Sequence, residues 1–156
     1  MRHITTPHDA ELNAARLMRS WGYLDAKATT GGSDGGIDVR SAKALAQVKF
    51  RGSKAGRPEL QRLVGAREGD TSKVLLFFDY RGYSPQAIEY ANRAGIGLYG
   101  YDTSGAVHAV NPAARQYMAV TWSDKLLTAL TRPSVVVFGA VIAGVIMALG
   151  LMLSVL

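Results

Sequence analysis

The chain has 156 residues, enough for one domain of ordinary size and one further element but not for two full domains. It contains no cysteine, which excludes disulfides, thiolate zinc sites and a cysteine nucleophile. Its formal charge of +6 favours an anionic partner, and the excess is local: Arg40, Lys43, Lys49, Arg51, Lys54, Arg57, Arg62 and Arg67 face a single acid, Glu59, over that stretch.

The opening MRHITTPHDAEL has no apolar run of signal-peptide length, so no cleaved export signal is expected. Thr6, Pro7 and Asp9 spell an N-cap, a first helical residue and a capping-box acid. The helix they open should run to about Ser20 or Trp21 and stop at Gly22, with Ala14, Leu17, Met18 and Trp21 as its apolar stripe. Tyr23 to Thr30 is strand-capable, and the glycines from Gly31 to Gly36 then force a turn.

Ile37 and Val39 alternate with Asp38 and Arg40, which predicts a strand with the apolar pair on one face and the charged pair on the other. A second strand follows in which Ala44, Ala46, Val48 and Phe50 alternate with Leu45, Gln47, Lys49 and Arg51. A hairpin turning near Ser41 to Lys43 would bring Asp38 within reach of Gln47 and Lys49.

Pro58 should open a helix through about Glu68, with Leu60, Leu63 and Val64 inward. KVLLFFD, Lys73 to Asp79, is continuous enough to be a strand covered on both faces. Ser84-Pro85 begins the next helix and Gly95 closes it. Ile96 to Tyr101 is a further strand, Ala106 to Val110 a short edge strand, and Asn111-Pro112 caps an amphipathic helix. The expected fold is α/β, a mixed sheet flanked by helices in the order α-β-β-β-α-β-α-β.

Three regions are expected: a folded domain over 1–120, a juxtamembrane linker over 121–133 and a transmembrane helix over 134–156. No charged residue follows Arg132, and Ser134 to Leu156 carries neither charge nor amide. As a helix this stretch would be roughly 34 Å long at roughly 1.5 Å per residue, against about 30 Å of hydrocarbon. Lys125 and Arg132 precede it, which predicts a single pass with the N-terminal domain in the cytoplasm. Ala140, Gly144 and Ala148 form a small-residue face on which a second copy could pack as a homodimer.

Hydrolysis of a phosphodiester near neutral pH calls for a divalent cation and a cationic group to stabilise developing charge. Carboxylates are the oxygen ligands magnesium prefers. Asp38 and Lys49 are such groups, and Glu11 lies beside the apolar stripe of the first helix, where it either complements the helix dipole or points to a site. Gly31 to Gly35 also satisfies G-x-S-x-G, but it leads into a strand and not into the helix that a nucleophile elbow needs.

GSDGGID at Gly32 to Asp38, followed by AQVK at Ala46 to Lys49, resembles the Mrr-like branch of the PD-(D/E)xK restriction endonuclease superfamily. Glu11 also stands about three turns before Gly22-Tyr23, as a glutamate does in that branch. The resemblance covers roughly His8 to Asn111 and implies a restriction-endonuclease-like fold. It implies a magnesium-dependent DNA endonuclease with Glu11, Asp38, Gln47 and Lys49 as catalytic residues. Asp38, Glu11 and the Val48 backbone carbonyl would hold the metal, and no small-molecule cofactor is implied.

Arg40, Lys43, Arg51, Lys54, Arg57 and Arg62 are the candidate DNA-binding residues. Gln47 occupies the position where most of the superfamily has an acid, so Glu11 would supply the second carboxylate. The alternative is a non-cleaving nucleic-acid-binding or membrane scaffold module of the same fold.

Overall fold

Helix α1 (Pro7–Ser20) begins where the capping residues dictate. The Asp9 backbone N–H donates to Thr6 Oγ1 at 3.1 Å, and the Thr6 N–H donates to Asp9 Oδ2 at 3.0 Å, so two otherwise unpaired helix-end groups satisfy each other. The chain leaves α1 through Trp21 and through Gly22, whose φ of +103° suits glycine. The computed structural model describes residues 3–29, 36–67 and 69–118. The expected transmembrane helix, the linker and most of the glycine-rich turn lie outside them. Among the described residues no helix is long and apolar enough to cross a membrane.

Strands β1 (Lys27–Ala28), β2 (Val39–Arg40) and β3 (Ala44–Lys49) follow, then α2 (Arg57–Gly65), β4 (Val74–Asp79), α3 (Pro85–Ala94), β5 (Ile96–Tyr101) and β6 (Val107–Ala109). Residues 112–118 form a last helix, α4. The six strands make one sheet in chain order, with β3, β4 and β5 parallel and the remaining pairs antiparallel. Each parallel pair is joined by a helical crossover, as parallel strands require.

The sheet is covered on both sides. Leu75, Phe77, Ile96 and Leu98 pack with Leu60 and Leu63 of α2 and Ala87 and Ala91 of α3. Leu76, Phe78, Tyr99 and Tyr101 alternate with them along the strands and pack with Ala14 and Met18 of α1 and Ala114 of α4. This is why β4 is apolar from Val74 to Phe78 and shows no period of two. Removing a buried side chain such as Leu63 to alanine would cost about 2–5 kcal/mol.

The expected helix near Pro58 starts one residue earlier and ends at Gly65, because the Glu59 carboxylate reaches back 2.6 Å to the Gly56 N–H and sets the first turn there. The strand expected over 23–30 is confined to Lys27–Ala28. Tyr83, Tyr99 and Tyr101 are core residues.

Three contacts fix α1 against the sheet. Trp21 stacks on Tyr99 with centroids 4.7 Å apart and on Phe78 at 5.9 Å. The Ile4 N–H donates to the Thr103 carbonyl at 2.8 Å, and Asn13 Nδ2 donates to the Gly105 carbonyl at 3.2 Å. These contacts fall just before α1, at its middle and at its C-cap, and so hold the helix that carries Glu11 against the sheet.

Candidate functional site

The hairpin expected around residues 41–43 is present: Val39 pairs with Ala46 and Arg40 with Leu45, closed by a 2.9 Å bond from the Ser41 N–H to the Ala44 carbonyl. Asp38 stands immediately before β2 and is held on every side. Its N–H donates to the Ala46 carbonyl at 2.9 Å, its carbonyl accepts from the Thr29 N–H at 2.9 Å, and its Oδ2 accepts from the Val48 N–H at 2.7 Å.

Ile37 and Val39 do not share a face as alternation predicts. Ile37 joins the core under α2 and α3, whereas Val39 joins the core under α1. The chain crosses from one side of the sheet to the other at Asp38, because its side chain bonds the neighbouring strand's backbone and interrupts the regular pleat. The acid therefore lies within the sheet's edge, half-buried, and does not share a solvent face with Arg40.

Burial raises the Asp38 pKa above the ordinary carboxylate value. The Val48 N–H and the Lys49 ammonium oppose that rise, and the Glu11 carboxylate adds to it. Glu11 and Lys49 are thus both close enough to Asp38 to alter its ionisation, although they come from α1 and from the end of β3. Glu11 is mostly covered and contacts His8 Nδ1 at 3.2 Å, a pairing at i, i+3.

Gln47 is buried on the strand face of Leu45, and its Oε1 has no hydrogen-bond partner among the described residues. Gly36 closes over it: with φ at +81°, a Cβ at this glycine would lie 2.6 Å from Gln47 Nε2. Val48 meets Asp38 through its N–H. Glu11 of α1 and Asp38 before β2 supply two hard oxygen donors. Magnesium is commonly held by one or two carboxylates with water and phosphate completing its shell, so this donor set fits it. Among the described residues no three His, Asp or Glu side chains cluster as a metal site.

The basic residues do not form one patch. Arg40 and Lys43 flank the β2–β3 turn, and Lys43 is six residues from Lys49, roughly 20 Å along a strand. Lys49, Arg51, Lys54 and Arg57 gather at the opposite end, where β3 leads into α2. Arg62 is exposed about 7.5 Å further along that helix. Arg51 is ion-paired with Glu59, and the Arg57 guanidinium lies 5.3 Å over the Tyr90 ring. The single acid of the basic stretch both caps α2 and anchors Arg51.

Residues 3–103 match the family model for the Mrr catalytic domain, described as restriction endonuclease. The chain belongs to the Mrr family of restriction endonucleases. The matched segment of this Mrr-family chain contains Glu11, Asp38, Gln47 and Lys49. No curated protein matches it. A solved structure titled "Crystal Structure of Protein of Unknown Function AF1548" is similar at 22% identity and a TM-score of 0.47, covering 60% of this chain and 56% of that one.

Sequence reasoning missed Asp79. It closes β4, is fully buried, and stands in parallel register beside Lys49. Its placement as the last, polar residue of an apolar strand was the available signal, since ligands in such sheets meet the carboxyl ends of strands.

Proposed function

We propose that this Mrr-family chain is a magnesium-dependent DNA endonuclease that hydrolyses phosphodiester bonds. The observation that carries the reading is the 2.7 Å hydrogen bond that ties the Asp38 carboxylate to the Val48 N–H, one residue before Lys49, inside the family's matched segment. Asp38 and Glu11 would hold the metal, with the Val48 carbonyl as a backbone ligand. When bound, the ion polarises the phosphate and lowers the pKa of a water.

The remaining work belongs to the chain's own side chains. The Lys49 ammonium stabilises negative charge developing on the phosphate, and Gln47 orients the attacking water. Arg51, Lys54 and Arg57, next to Lys49, track the DNA backbone, with Arg62 extending the path along α2. Arg40 and Lys43 meet a separate stretch of backbone a strand-length away. The apolar segment 134–156 tethers the domain to a membrane from its cytoplasmic side, and the Ala140, Gly144 and Ala148 face pairs two copies.

A second reading, a DNA-binding module that does not cut, is favoured by the neutral Gln47, which stands where most of the superfamily has an acid. Supercoiled plasmid incubated with the full chain and magnesium separates the two. Nicking that is lost in Lys49→Ala and Asp38→Ala supports the endonuclease. Equal nicking by Lys49→Ala and wild type sinks the assignment, and salt-sensitive binding without any nicking selects the second reading.

A further inference from the structure

Asp79 is a buried acid with an unfinished hydrogen-bond set. Its Oδ1 accepts from the Arg81 N–H at 2.7 Å and the Gly82 N–H also favours its charged form, while its Oδ2 makes no full hydrogen bond among the described residues. A buried carboxylate oxygen left without a partner carries a large desolvation cost unless a cation compensates it. Arg51, then Lys49, are the cations close enough to favour its charged form.

The backbone around these groups is rigid. The Lys49 carbonyl accepts from the Tyr101 hydroxyl at 3.0 Å and from the Tyr80 N–H at 3.1 Å. The loop carrying Arg51 is tied to the turn after Asp79, with the Ala55 N–H donating to the Gly82 carbonyl at 2.9 Å and the Ser84 N–H to the Ala55 carbonyl at 3.0 Å. Arg51 is held on its other side by Glu59. Arg51 is thus ion-paired with Glu59 of α2 and within electrostatic reach of Asp79, which sits in parallel register beside the candidate catalytic lysine.

We infer that Asp79 is a positioning residue of the cleavage site: its carboxylate is the counter-charge that keeps Arg51 and Lys49 at the carboxyl end of β3 until a DNA phosphate takes its place. This rests on the endonuclease reading above. Removing the charge has two opposite effects. The cations lose a competitor and grip the ground-state phosphate more tightly, and they lose the orientation that matters in the transition state.

The test uses the full chain in mild detergent at pH 8, comparing wild type with Asp79→Asn and Asp79→Ser, both of which keep an acceptor for the Arg81 N–H. Affinity for a fluorescent 30-base-pair duplex is measured in EDTA, and kcat and KM for plasmid cleavage in magnesium. The expected result is about a 2- to 5-fold gain in affinity together with about a 10-fold or larger fall in kcat. Affinity unchanged in both variants overturns the inference, as does failure of both to fold, which would make the carboxyl a structural part of the turn. A wild type that binds but does not cut removes the endonuclease reading and leaves the affinity comparison to decide. A wild type that does neither sinks both.

Discussion

The Asp38 carboxylate accepts a 2.7 Å hydrogen bond from the Val48 N–H, one residue before Lys49 on the neighbouring strand. This bond ties the acid to the strand that carries the lysine. It occupies one of the two carboxylate oxygens.

Asp38→Asn should therefore keep the fold and lose the chemistry. The amide oxygen can still accept from the Val48 N–H, but the charge that would hold a divalent cation is gone. Cleavage is expected to fall by about 100-fold or more, the scale set by loss of a major electrostatic stabiliser, while metal-free DNA affinity is kept or rises. Gel-shift and nicking assays on the same preparation check it.

Glu11→Gln tests whether α1 contributes to the site. With one of the two proposed metal-holding carboxylates gone, the magnesium concentration giving half-maximal cleavage should rise by about 10-fold or more, since ligand charge count governs affinity for hard cations. A magnesium titration unchanged from wild type would leave Glu11 as an α1 acid paired with His8.

The buried acids set a pH dependence of stability. Burial raises the Asp79 pKa from 3.8 to about 6, so between those values the folded chain holds a proton that the unfolded chain has released. Its stabilising contribution is complete below about pH 4 and is lost as pH rises through about 6. The difference amounts to at most about 3 kcal/mol. Asp79→Asn, which stays neutral, should accordingly melt several degrees above wild type at pH 8 and together with it near pH 4. Asp38→Asn should show the same sign, because its pKa is also raised. Melting curves across pH 4–8 for the three proteins provide the measurement, and a mutant advantage that grows toward acid would contradict it.

Gly36→Ala places a methyl group where Gln47 Nε2 lies 2.6 Å away, on a backbone with φ of +81°. The strain of a left-handed non-glycine residue, about 1–2 kcal/mol, adds to the displacement of Gln47. Both the melting temperature and the cleavage rate should fall. Gly52→Ala, where a Cβ meets nothing within 4 Å, is the control and should change neither appreciably.

How much of the fold and site is legible in the sequence depends on how local each feature is. Thr6 with Asp9, Ser84 and Gly95 mark helix ends through bonds and dihedrals spanning a few residues, and the ends fall where those residues stand. The continuous apolar run of β4 declares a strand covered on both faces, and the A-Q-V-K strand with its hairpin lies where alternation places it. The family resemblance, carried by Asp38, Gln47 and Lys49, is likewise complete in the sequence.

Other features exist only because distant elements pack. Ile37 and Val39 part to opposite faces because Asp38 bonds across to Val48, a choice that periodicity cannot express. Asp79 reads as the end of an apolar strand until the parallel register sets it beside Lys49, and Glu59 reads as a lone acid until it caps α2 and pairs with Arg51. The basic stretch, continuous along the chain, divides because a β-strand separates its ends by its own length. Sequence alone thus determined which residue types were present and which elements carried them, since caps and hydrophobic period act over a few residues. Only the tertiary structure decided which charges meet, since Coulomb interactions and burial depend on distances in space that chain spacing does not encode.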